Sequence, residues 1–284
     1  MSTYYDIDKV FFNQSLFTSY TPILVYHNII PDNTPVTTSD CALTVSQFEK
    51  QMRFLSDHRY TCIKLADLFQ PSAIKEPLPP KTFVLTFDDG FEDFYTMAYP
   101  ILHRYKFVAT IFVITDFIRK SGFYEADMNG QGMTWEQIRI LSAEGFSFGS
   151  HTCLHFRLSD LPENQIWHEL IASKECLNIG LGQNIQFLAY PYGDSNPAIQ
   201  RIVKQAGYEA AFGVITVEPG RFNLWRTELK TQDSMLTFNF KLTRWYSYYI
   251  KLRGWVRERT IIGRYVRRVK HRHSDALKAT LHLG

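Results

Sequence analysis

The stretch Phe83-Val-Leu-Thr-Phe-Asp-Asp-Gly-Phe-Glu-Asp93 decides the reading of this chain. Its apolar run has the composition of a buried strand and stops at two adjacent carboxylates and a glycine. Successive side chains of a strand point to opposite faces, so Asp88 and Asp89 at its end can serve one site in two different roles. Gly90 permits the sharp turn by which the chain leaves the strand. Further on, Ser150-His-Thr-Cys-Leu-His155 supplies two histidines four positions apart. Two imidazoles and one carboxylate can hold a metal ion while the second carboxylate takes a proton from bound water. These are the parts of a hydrolase.

Outward from Phe83 the pattern alternates between strand and helix. Ile23–His27 is a short apolar run behind Thr21-Pro22. Val45–Asp57 has helical spacing in Phe48, Met52 and Leu55, with Ser46 as the expected N-cap. Pro71–Pro80 reads as a proline-punctuated loop, Tyr95–Tyr105 as a helix and Ala109–Ile114 as a strand. Thr134 opens a helix through Ala143 that Gly145 ends, and Phe146–Ser150 is a short strand delivering His151. Helix over Pro162–Leu177, strand over Gln186–Tyr190, helix over Pro197–Ala206 and strand over Ala210–Val214 follow. Such alternation implies an α/β protein with a mostly parallel sheet, which repeated units can close into a barrel. Asp88, Asp89, His151 and Tyr192 each follow an apolar run, where barrel enzymes carry their catalytic residues. Past Leu236 the alternation stops.

The 284 residues suffice for one large core, and 45% hydrophobic with 21% charged residues is ordinary for a globular chain. The charge is uneven. From Phe238 onward there are twelve Lys/Arg and two acidic residues, a tail of +10 in a chain of net +3, which leaves the remainder at −7. An acidic body argues against a nucleic-acid partner and gives the tail a local anionic one. Trp245, Tyr246, Tyr248, Tyr249 and Trp255 interleave there with arginines, as in a helix lying at an anionic membrane surface; the competing reading is a helix packed on the barrel. Cys41, Cys62, Cys153 and Cys176 have no CxxC spacing and are expected as free thiols in a reducing compartment. Met1-Ser-Thr-Tyr-Tyr-Asp6 lacks a basic leader with an apolar stretch behind it, and no segment has the length of a spanning helix. The expected placement is cytoplasmic, with peripheral contact at the inner face of the membrane. The expected domains are a barrel over residues 1–236 and a basic aromatic extension, helical, over 237–284.

Histidine nitrogen and carboxylate oxygen suit a zinc-like ion, and the His-x3-His spacing is expected to set both imidazoles on one side of a helical turn. Asp89, His151 and His155 make a two-His, one-carboxylate set. Asp88, adjacent and unligated, is the candidate base. Alone, Asp-Asp-Gly is an ordinary exposed turn and His-x3-His a solvated helix face. Their joint position behind buried strands favours the metal site. Leu188-Ala-Tyr-Pro-Tyr-Gly-Asp194 follows a strand with a rigid Pro and a permissive Gly, where a backbone N–H can face an oxyanion. His27, at the end of the first strand, is either a satisfied rim histidine or a catalytic one.

Together, Thr86–Gly90 (TFDDG), Ser150–His155 (SHTCLH) and Ala189–Gly193 (AYPYG) resemble the polysaccharide deacetylases, also called carbohydrate esterase family 4 or NodB-homology proteins. Ile23–Ile29, the Phe48–Leu55 helix, Tyr99–Leu102, Ala109–Val113 and Met133–Trp135 are similar too, so the resemblance spans Thr21–Glu228. The early Tyr26-His27 is similar to the poly-N-acetylglucosamine deacetylase branch. The resemblance implies a distorted (β/α)7 barrel and metal-dependent removal of acetyl groups from an N-acetylated sugar of a surface polysaccharide or glycolipid. It implies Asp88 as base, one divalent ion per chain, expected as Zn2+, on Asp89, His151 and His155, and the backbone N–H of Tyr192 at the oxyanion. Two departures stand out. Ala189 occupies the place of an arginine that orients the base in many members, so another group must hold Asp88. The late Leu-x-x-His-Asp motif that supplies their general acid is missing, and His27 is the best substitute. Beside N-deacetylation stand two alternatives: an O-acetyl esterase on a glycan, which needs a weaker acid, and a catalytically silent sugar-binding module.

Overall fold

The computed structural model describes residues 20–34, 41–69, 78–118, 131–214 and 220–259. Its strands are β1 (Ile23–Tyr26), β2 (Ile29–Ile30), β3 (Leu43–Thr44), β4 (Thr61–Cys62), β5 (Thr82–Phe87), β6 (Thr110–Val113), β7 (Ser147–Ser150), β8 (Phe187–Ala189), β9 (Ala210–Phe212) and β10 (Thr227–Glu228). β2 and β3 pair with each other, and the rest form one parallel sheet in the order β10-β1-β5-β6-β7-β8-β9, with β4 beside β5. The sheet curls closed through one segment. Leu224 donates its N–H to Ala211 and accepts from Gly213, both at 2.9 Å, while Thr227 and Glu228 pair with β1. Residues 224–228 thus join both edges, and the result is the distorted (β/α)7 barrel.

Helices α1 (Val45–Asp57), α2 (Tyr99–Tyr105), α3 (Thr115–Ile118), α4 (Trp135–Ala143), α5 (Glu163–Leu181) and α6 (Pro197–Gln205) lie between the strands, and α7 (Met235–Lys241) and α8 (Arg244–Arg259) follow them. Capping residues set several starts. α1 is capped by Thr44, not Ser46: the Thr44 hydroxyl accepts from Gln47 N–H, and the Gln47 side chain returns a bond to Thr44 N–H. Ser46 is instead inside the first turn, where its N–H donates to Asp32 at 2.9 Å. Thr134 and Gln137 make the same reciprocal pair on α4, and the Asn196 side chain caps α6. The single helix expected over Tyr95–Tyr105 divides into a π-type turn over Phe94–Ala98 and then α2. Pro100 is the cause, since it lacks the N–H a regular ladder would need there. The Pro71–Pro80 loop lies mostly outside the described residues, as does the tail beyond Arg259.

Every residue of β5 is buried, which explains its unbroken apolar run. On the outer face Phe87 stacks on Tyr26 at 5.2 Å and meets the edge of Phe48 from α1 at 5.8 Å. On the inner face Val84 joins Ile23, Phe112, Phe187, Ala189, Phe212 and Leu224 in one buried cluster. Gly149 of β7 makes room for it, because a Cβ there would lie 2.5 Å from the Phe112 ring. Val84, Thr86 and Asp88 share the inner parity, so the strand that fills the barrel also delivers a carboxylate at its mouth. The described chain divides into two compact units, with the boundary between Phe238 and Asn239.

Candidate active site

Asp88 lies at the mouth and is bound by a residue that sequence reasoning missed. Arg226, fully buried, donates from Nη1 to Asp88 Oδ1 and from Nη2 to Asp88 Oδ2, both at 2.7 Å. The same guanidinium reaches Thr86 Oγ1 at 3.2 Å and the Gly213 carbonyl at 3.3 Å, and it lies 5.2 Å from the Phe112 ring centroid. Ala189 therefore leaves no gap: the base is gripped from the closing segment. Burial is the largest single effect and would raise the Asp88 pKa, but the Arg226 charge, His151, the Arg226 hydrogen bonds and His27 together outweigh it, and the net shift is downward. His27 comes to the same carboxylate, its Nε2 3.9 Å from Asp88 Oδ2. Its Nδ1 is buried without a hydrogen-bond partner among the described residues.

Asp89 leaves the strand with a φ of 70°, which breaks the strand's alternation and turns its carboxylate toward the two histidines. Asp89 Oδ1 lies 3.4 Å from His151 Nε2 and 3.5 Å from His155 Nε2, and the two Nε2 atoms are 3.2 Å apart. Tetrahedral coordination with bonds of about 2.1 Å separates donor atoms by about 3.4 Å, so this triangle has the size of one face of a zinc-like site. His151 Nδ1 lies 2.8 Å from the Ala189 carbonyl, which places the proton on Nδ1 and the lone pair on Nε2. Asp89 Oδ1 is buried with no hydrogen-bond partner among the described residues. The three residues fit a divalent ion.

Burial pushes Asp89 up, but His151 at 3.4 Å and the charges of His27 and His155 together bring it well below the usual carboxylate range. Burial, then the charge of His151, lowers His155 to about 4, so its imidazole is neutral at neutral pH.

The His-x3-His segment is not helical, contrary to expectation. Residues 151–155 form an irregular loop after β7, with φ of 67° at Thr152 and 60° at His155. Left-handed backbone at non-glycine residues costs of order 1–3 kcal/mol each and has to be held. Glu169, a buried carboxylate on α5, holds it by accepting from Cys153 N–H at 2.8 Å and Leu154 N–H at 3.0 Å. The Thr152 hydroxyl accepts from His155 N–H at 3.1 Å. Glu169 lies among Ile166, Leu170, Ser173 and Leu177 on the buried face of its helix. An acid on an otherwise covered stripe is the signal that could have found it.

Tyr192, in the turn after β8, also has positive φ, at 58°. The residue is 60% exposed, and its ring lies 4.7 Å from His155 and 4.6 Å from the Arg157 guanidinium. The structure thus gathers Asp88, Asp89, His151, His155, His27 and Tyr192 at one end of the barrel, and adds Arg226 and Glu169.

The sequence profile described as polysaccharide deacetylase matches residues 75–211. A Bacillus subtilis protein assigned to the polysaccharide deacetylases, YxkH, is 31% identical over 201 residues, covering 70% of this chain and 65% of that protein. Over residues 75–211 the chain matches the polysaccharide deacetylase family. A second relative, the poly-beta-1,6-N-acetyl-D-glucosamine N-deacetylase of Staphylococcus aureus, is 27% identical over 221 residues, 74% of each chain. Among solved structures, the Streptococcus pyogenes deacetylase PplD superposes with a TM-score of 0.69 at 25% identity, over 78% of this chain and 98% of that one. IcaB from Ammonifex degensii gives 0.66 at 25% identity, over 80% and 99%. The deacetylase match spans just under two thirds of YxkH. The profile match ends at residue 211, so the basic extension lies past it.

Proposed function

We propose that this chain is a divalent-metal-dependent hydrolase that removes the acetyl group from an N-acetylated sugar of a polysaccharide or glycolipid. The observation that carries the reading is the Asp89–His151–His155 triangle, of tetrahedral-face size, beside an Asp88 that Arg226 keeps ionised. The donor set of two imidazoles and one carboxylate favours zinc. Bound there, the ion supplies polarisation of the acetyl carbonyl and acidification of water.

The protein's own groups do the rest. Asp88, held as carboxylate by two Arg226 bonds, accepts the proton of the attacking water through its remaining lone pairs. An amide nitrogen departs poorly unless protonated, and His27 Nε2, on the Asp88 side of the site, is placed to give that proton. The Tyr192 backbone N–H serves the oxyanion, and its exposed ring offers a stacking face to a sugar. The relatives support N-acetylglucosamine polymers as the substrate class.

The test is acetate release from a panel of N-acetylated and O-acetylated oligosaccharides. Turnover should be confined to N-acetyl substrates, cease on chelation and return with zinc or cobalt. Full activity in a metal-free sample, or turnover of O-acetyl substrates alone, would overturn it.

Trp245, Tyr248, Tyr249 and Leu252 of α8 are exposed among arginines and lysines, and we propose that they make peripheral contact with an anionic membrane. Among the described residues no helix is long and apolar enough to cross a membrane.

A further inference from the structure

His27 also belongs to a second group of metal donors. His27, Cys41 and Glu228 each present one ligand atom, and the three atoms lie within 4.8 Å of one another. They come from the end of β1, the loop before β3 and the end of β10, and backbone bonds tie these segments together. Leu43 N–H donates to the Asn28 carbonyl at 3.0 Å, and Leu229 N–H donates to the Val25 carbonyl at 3.1 Å. The Cys41 thiol donates to Glu228 Oε1 at 3.4 Å, while Lys230 Nζ holds the other carboxylate oxygen at 3.0 Å. Among the described residues His27 Nδ1 is buried and has no hydrogen-bond partner, a cost for a polar nitrogen unless something else uses its lone pair.

We propose that His27 Nδ1, Cys41 Sγ and Glu228 Oε1 form a second divalent-metal site of the zinc class, distinct from Asp89, His151 and His155. The donor chemistry selects the ion: thiolate with imidazole and carboxylate suits zinc or cobalt and is poor for magnesium or calcium. Binding replaces the thiol proton, which leaves to solvent, so one thiolate and one carboxylate balance the dipositive charge. All three residues are partly exposed, which leaves a fourth position for water. The thiol–carboxylate distance is already close to a tetrahedral edge.

The site has a consequence for turnover that rests on His27 being the general acid. A metal on Nδ1 takes the lone pair that would carry a second proton, so His27 keeps only Nε2–H and no longer passes through the imidazolium form. Occupation of the second site then slows N-deacetylation.

Cobalt titration of the full metal-free chain tests both statements separately, because only a thiolate ligand produces a cobalt–sulfur charge-transfer band in the near-ultraviolet. Two equivalents should bind, the band should grow with one of them, and Cys41→Ser should abolish it while one cobalt stays bound. Glu228→Gln should weaken the band-forming equivalent at least tenfold, with circular dichroism confirming that both variants are folded. Binding of a single equivalent without the band, or a band that survives Cys41→Ser, overturns the site. A band that forms as predicted while acetate release is unaffected upholds the site and overturns His27 as the acid.

Discussion

At the scale of single residues, the site turns on how two adjacent carboxylates are separated by their partners. Asp88 is ion-paired and inward, whereas Asp89 faces two imidazoles. Asp88→Asn should keep the metal and lose about two to four orders of magnitude in kcat, the usual worth of a general base. Loss of metal in that variant, measured by metal analysis, would reverse the assignment of the pair. Arg226→Met tests the grip on the base. Removing one partner of a buried pair costs about 3–5 kcal/mol, because the other charge is left uncompensated. The sign with pH follows from the lowered Asp88 pKa. In the native chain the pair's contribution is complete above the ordinary carboxylate pKa and fades as pH falls through the depressed value. Without Arg226, burial dominates and the Asp88 pKa rises. Denaturant melts should then show the variant losing stability as pH increases, and the acid limb of kcat/KM should move to higher pH.

At the scale of elements, the strands pack close enough that small residues become structural. Gly149→Ala would place its Cβ 2.5 Å from the Phe112 ring and 3.0 Å from the Phe187 carbonyl, a backbone atom that cannot yield cheaply. A loss of about 1–3 kcal/mol is expected from this overpacking. Gly182→Ala, in open space at the end of α5 with a φ of 64°, isolates the backbone contribution alone. Comparing the two by thermal unfolding should show the larger loss at Gly149. Equal losses would mean that Phe112 moves aside and the interior is looser than its contacts indicate.

At the scale of the whole molecule, the extension is the part with the strongest charge and the least family resemblance. Phe238 is fully buried and meets Phe54 edge-on at 6.0 Å, so a truncation that preserves the barrel must keep it. The 1–236 division expected from the sequence would remove it. A chain ending at Thr243 is the suitable comparison. Each basic residue near an anionic leaflet contributes about 1 kcal/mol, so the full chain should sediment with phosphatidylserine vesicles and release at high salt. The shortened chain should do neither. Equal sedimentation of the two would remove the extension from membrane contact.

The sequence by itself determined the order of the six longer strands and the main helices between them, the cap at Thr134, and the residues most able to do chemistry. These properties are local: periodicity, breakers and motif spacing act over a few positions. Local rules also misassigned what depends on competition, such as Thr44 over Ser46 at the start of α1 and the π-type turn before Pro100. Only the tertiary structure decided that His151 and His155 converge from an irregular loop pinned by Glu169. It alone decided that Arg226 supplies what Ala189 cannot. Arg226 and Asp88 are 138 positions apart, and nothing in either neighbourhood specifies the other. Their meeting follows from barrel closure, because the segment that joins the two edges of the sheet must run beside β1, one strand from β5. The same closure brings Glu228 to His27.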